Sequence, residues 1–151
     1  METTGLIAQT IQLALAPVFV LVAIGNILNT LSARLGRVVD RSRLLQQRHA
    51  ETTGAEHDEV VREIRLIDGR IAMIGRAILL LVLSGLAIGL CVVLLFLEEL
   101  FGVLLQHAAA AAFILAIGLL MSALMLFMRE TRAATAALRI PKTYLELERK
   151  L

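Results

Sequence analysis

Apolar residues gather in three unbroken runs, at 13–33, 77–97 and 108–128, each 21 residues long and free of charged side chains. At 1.5 Å per residue such a helix is roughly 30 Å long, the thickness of a bilayer's hydrocarbon core. A soluble helical core of this length would carry a polar outer face, and these runs have too few polar positions to build one. Arg34, Arg76 and Arg129 each stand at one end of a run. The pattern predicts three transmembrane helices that share one charged boundary.

Between the first two runs the pattern becomes amphipathic. Val60, Ile64, Ile67, Ile71, Ile74 and Ile78 recur at alternating spacings of four and three, a helical stripe with a 3.5-residue period. On the other arm "RLGRVVDRSRLLQQR" (34–48) has only Gly36 as a weak point and offers Leu35, Val38 and Leu45 to face the stripe. The first helix is expected from about Gln9 to Arg48. "AETTGAEHD" (50–58) reads as a turn broken at Gly54. Residues 34–76 are therefore expected to form an antiparallel helical hairpin that prolongs helices one and two. Its nine arginines are balanced by Asp40, Glu51, Glu56, Asp58, Glu59, Glu63 and Asp68, as in a solvated, salt-bridged stalk. After the third run the helix is expected to continue until Pro141 ends it, with a tail to residue 151. The whole chain, 1–151, reads as one all-α integral membrane domain.

Charge sets the orientation. All 15 lysines and arginines lie within 34–76 or after Met128. Basic segments stay in the cytoplasm, so the N-terminus and the Glu98–His107 loop are expected outside, and the hairpin and the 129–151 segment inside. "METTGLIAQT" lacks the basic start of a cleavable signal, so the first run is expected to remain as an anchor. A net charge of +2 leaves no footprint for nucleic acid. Trp is absent and there is one Tyr, so anchoring at the inner boundary falls to the arginines.

Small residues allow helices to approach closely in lipid. The second span has two small-residue faces, one with Gly75, Gly85 and Gly89, the other with Ala77, Ser84, Ala87 and Cys91. The third also has two, Ala108, Ala112, Ala116 and Ala123 on one side and Ala111, Gly118 and Ser122 on another. Two faces per helix point to neighbours on both sides. A homo-oligomer is expected, with Gly85, Gly89, Ala112 and Ala116 in its packing.

The first span carries a different signal. Gln9, Gln12, Ala16, Phe19, Ala23, Asn26 and Thr30 fall on one flank at 100° per residue, and Arg34, Arg37 and Arg41 continue it beyond the span. Amides cannot profitably face lipid. Three readings stay open. Asn26 and Thr30 bond a neighbouring helix while the arginines pair with stalk carboxylates. Alternatively, Gln12, Phe19, Ala23, Asn26 and Thr30 line a pore between copies, with Phe19 as its constriction and Arg34, Arg37 and Arg41 as a basic mouth. Or those arginines dock anionic headgroups or a cytoplasmic protein.

Catalytic patterns are missing. His49 and His57 are a poor metal pair, and there is no nucleophile elbow, phosphate loop or zinc helix motif. No ionisable side chain lies inside a span, which argues against proton-coupled transport. The expectation is a non-enzyme with no cofactor and no metal, whose partners are membrane lipids, further copies of itself and a cytoplasmic protein.

One resemblance adds to this. The segments "IAQTIQLALAPVFVLVAIGNILNTL" (7–31), "RLGRVVDRSR" (34–43) and "EIRLIDGRIAMIGRAI" (63–78) resemble a bacterial membrane family known as domain of unknown function 2721. The resemblance extends to about Arg139. It implies three spans in a bacterial cytoplasmic membrane and no established activity. The function favoured is a small homo-oligomeric pore or ion channel lined by the first helix. The alternative is a structural or regulatory membrane subunit whose basic hairpin docks a partner or anionic lipid.

Overall fold

The structure is a computed structural model that describes residues 2–137, with side-chain surroundings over 9–135. Pro141 and the tail lie outside the described residues. The chain forms three helices, α1 (Glu2–Glu51), α2 (Ala55–Phe101) and α3 (Gln106–Ala137). Each contains a stretch long and apolar enough to cross a membrane, and together they suggest a multi-pass membrane protein. Helix α1 runs unbroken through Pro17 and Gly36.

Both connections are shorter than the sequence pattern predicts, because the helical hydrogen-bond ladder persists up to a glycine. Thr52 N–H still donates to Arg48 O, and Asp58 N–H already donates to Gly54 O. Only 52–54 remain as the turn, with Gly54 at φ +67°, a left-handed backbone that suits glycine. At the other end Gly102, at φ +64°, caps α2 by donating its N–H to Glu98 O. Glu98 and Glu99 therefore sit in the last turn of α2, and the loop shrinks to 102–105.

Helix α2 is central and packs against α1 on one side and α3 on the other. Ile24, Leu31, Val38 and Leu45 of α1 lie seven residues apart, as do Val60, Ile67, Ile74, Leu81 and Ile88 of α2, and all nine are buried in one cluster. Seven is the repeat of a coiled-coil seam. The same seam runs from the apolar spans into the hairpin. Leu35, Ile64, Ile71 and Ile78 pack on its margin, which matches the stripe read from the sequence.

The second seam, between α2 and α3, is made of small side chains. Ala77, Ser84 and Cys91 are buried on α2; Ala109, Ala112, Ala116 and Ala123 are buried on α3. Ser84 Oγ donates to Ala116 O at 2.7 Å, a contact open only to closely approaching backbones. This revises the packing expectation. Ala112 and Ala116 are core residues of the single chain. Gly85 lies beside Leu21 of its own α1, where an added Cβ would sit 3.6 Å from Leu21 Cδ1, and Gly89 has nothing within 4 Å of such a Cβ. The Ala77, Ser84 and Cys91 face of α2 is thus used within the chain, whereas the Gly75, Gly85 and Gly89 face meets only Leu21 beside Gly85 and is open at Gly75 and Gly89.

Candidate functional site: an arginine groove at the basic end of the spans

The buried row Ala109, Ala116, Ala123 on α3 continues one heptad further to Glu130, which is 1% exposed. A carboxylate at such a place loses its hydration and needs charged partners with good geometry. Two arginines supply them. Arg34 of α1 donates from Nη1 to Glu130 Oε2. Arg70 of α2 donates to Oε1 from Nε at 3.2 Å and from Nη2 at 2.8 Å. Arg34 Nη1 also donates to Thr131 Oγ1 at 3.0 Å, and its guanidinium carbon lies 5.1 Å from the centroid of the Phe127 ring, a cation–π distance. One carboxylate thus joins all three helices.

These arginines also form a surface. Arg34, Arg37 and Arg41 of α1 and Arg70 of α2 line a groove of about 270 Å³, with Val38, Ile67 and Ala134 as its apolar parts. Arg34, Arg37 and Arg41 follow one another at helical spacing, which the sequence predicts. Arg70 joins them because the hairpin returns α2 along α1. Arg41 is paired across the hairpin with Glu63, at 2.9 Å from Nε and 2.7 Å from Nη2. Arg37 has neither an ion pair nor a hydrogen bond among the described residues. Four guanidinium groups face two carboxylates here, so the groove is positive.

The upper part of the stripe is placed differently. Gln12, Ala23, Asn26 and Thr30 are exposed, and Phe19 is 69% exposed. Thr30 Oγ1 donates back to Asn26 O of its own helix at 3.1 Å. The Asn26 side chain has no hydrogen-bond partner among the described residues. Among the described residues none of these side chains hydrogen-bonds α2 or α3, so the bonds that the first reading gives Asn26 and Thr30 are not made within one chain.

At the acidic end Thr10 Oγ1 donates to Glu99 Oε2 at 3.3 Å. Next to it an apolar cleft of about 280 Å³ opens between α1 and α3, lined by Leu13, Pro17, Leu95, Ala109 and Phe113 among others. At the hairpin turn the rings of His49 and His57 lie 4.3 Å apart. Among the described residues no group of three metal-ligating side chains is close enough to hold an ion.

Sequence reasoning missed Glu130 and Arg70. The signal for Glu130 was available: it lies seven residues after Ala123 in a row spaced by sevens. Arg70 sits between Ile67 and Ile71, at the margin of the isoleucine stripe, where a long side chain can reach past the seam.

No curated protein and no solved structure is detectably similar to the chain. Residues 14–140 match a family described as a protein of unknown function (DUF2721), and the chain belongs to that family.

Proposed function

We propose that this is a structural or regulatory membrane protein whose arginine groove holds the phosphate of an anionic lipid headgroup on the cytoplasmic side of a bacterial membrane. The observation that carries the reading is the convergence of four arginines from two helices on one groove at the depth where the spans end. Arg34 directly follows the first apolar run, and Arg41 lies seven residues on, roughly 10 Å along the axis. That range covers the headgroup layer.

The pairing inside the groove leaves donors for a ligand. A guanidinium has five N–H bonds in a fixed fork that suits phosphate. Glu130 engages Arg34 through Nη1 and Arg70 through Nε and Nη2. Arg34 Nε and Nη2 and Arg70 Nη1 face no protein acceptor among the described residues. Glu130 thus holds two forks in place while Arg37 contributes a whole one. A pore lined by α1 would need several copies around the upper stripe.

The test compares thermal unfolding of the full chain in neutral mixed micelles, in micelles doped with phosphatidylglycerol, and with inorganic phosphate. The anionic lipid should raise the melting temperature of the wild type, and phosphatidylcholine or free phosphate should not. The double variant Arg37→Gln, Arg41→Gln leaves the Glu130 contacts intact and should lose most of that rise. Equal stabilisation of both proteins by the anionic lipid would overturn the reading.

A further inference from the structure

Helix α1 has two seams, and the chain uses one. The second runs from Gln9 to Gln47 at alternating spacings of three and four, through 12, 16, 19, 23, 26, 30, 33, 37, 40 and 44. Every one of these positions is exposed. Such a spacing keeps one line of side chains facing a partner helix over the whole length. Its composition within the span differs from that of the lipid-facing surface. The seam offers Ala16, Ala23, Asn26 and Ala33, whereas exposed positions beside it include Leu15, Val18 and Val22.

We propose that this seam is the contact surface for a second copy of the chain, with the two α1 helices parallel about a two-fold axis along the membrane normal. This goes beyond headgroup binding and does not depend on it. Two observations favour a second copy over another partner. A two-fold axis along the normal brings residues of equal depth together, and the Asn26 amide, unpartnered among the described residues, is both donor and acceptor. It can therefore satisfy its own counterpart, which lipid cannot do. Phe19 is bulky but has Ala16 and Ala23 one step away on the seam, which gives it room in the opposite helix. The seam is thus complementary to itself in size and hydrogen bonding. Arg37 stands on the border between seam and groove, and Arg34, Arg41 and Arg70 stay in the groove.

The experiment uses the full chain with the buried Cys91 replaced (Cys91→Ala), reconstituted in phosphatidylcholine vesicles at low protein density. Single cysteines are introduced at the seam (Ala16→Cys, Ala23→Cys or Ala33→Cys) and beside it (Val22→Cys or Ile114→Cys), and a mild oxidant is added. The seam variants should form disulfide-linked dimers and the others should not. Asn26→Leu in the Ala33→Cys background should lower the dimer yield about threefold, the scale of one interhelical polar contact in a membrane. Total thiol, titrated after solubilisation, shows that each variant is present, and resistance of the vesicle-bound protein to extraction by alkaline carbonate shows that it is inserted. Linking at Val22→Cys as efficient as at Ala23→Cys would overturn the proposal, as would the absence of any linking at the three seam positions. Labelling of Ala23→Cys by a charged, water-soluble thiol reagent would also overturn it, since a dry two-helix contact excludes water and a pore does not.

Discussion

Glu130 shows how one side chain can determine where three helices meet. Its carboxylate is buried and is tolerable there because Arg34 and Arg70, each more than a quarter exposed, keep part of their hydration while neutralising it. Removing the acid and removing the bases are therefore unequal. Glu130→Gln leaves two arginines that can turn to water, and should lower unfolding stability by about 1–3 kcal/mol. Arg34→Gln together with Arg70→Gln strands a charge in the core, and should cost more, about 3–5 kcal/mol. Thermal or denaturant unfolding in a mild detergent measures both. If the arginine double variant is as stable as the wild type, Glu130 is not the anchor described here. The pair Arg41–Glu63, with both side chains over 40% exposed, belongs to the weak class of surface ion pairs, and Glu63→Gln should change stability by less than about 1 kcal/mol.

At the scale of elements, α2 joins two unlike interfaces. Its isoleucine and leucine seam meets α1 with interlocking aliphatic side chains, while its alanine, serine and cysteine seam lets α3 approach through Ala116 and Ala123. The two should respond to opposite substitutions. Ala116→Leu adds volume where there is none to take it and should destabilise the α2–α3 contact by about 1–3 kcal/mol. Gly89→Ala points into space with no atom within 4 Å, and should be close to neutral in the isolated chain. Ser84→Ala should cost only about 0.6 kcal/mol, the usual size of a hydrogen bond between membrane helices. Unfolding of the three variants side by side tests the order. A large loss on Gly89→Ala would mean that this face is covered by something other than its own chain.

For the molecule as a whole, α1 and α3 flank α2 and are tied to each other at the basic end through Arg34, Glu130 and Thr131. The other end has the apolar cleft between them. The proposed orientation puts the tied, arginine-rich end in the cytoplasm. In a Cys91→Ala background, Thr4→Cys and Gln106→Cys should react with an impermeant thiol reagent added outside intact cells, and Thr53→Cys, in the hairpin turn, should not. Reaction at Thr53→Cys alone would reverse the orientation and place the groove outside.

The sequence by itself determined the helices, because their causes are local or periodic. Three apolar runs of membrane length, the isoleucine stripe from Val60 to Ile78 and the breaker at Gly54 are readable without knowing what lies across from them. The arginine series at 34, 37 and 41 was legible for the same reason, since helical spacing alone sets it on one flank. Only the tertiary structure decided which faces meet. A small-residue face looks the same on a wheel whether it packs against its own chain or a copy, and the contact of Ser84 with Ala116 settles it for one pair of faces. The fourth arginine and the buried acid also needed three dimensions, because Arg70 and Glu130 lie 36 and 96 residues from Arg34 in the chain. The long-range return of α2 along α1, and of α3 along α2, brings their charges within hydrogen-bond distance, and no periodicity in a single helix contains that information.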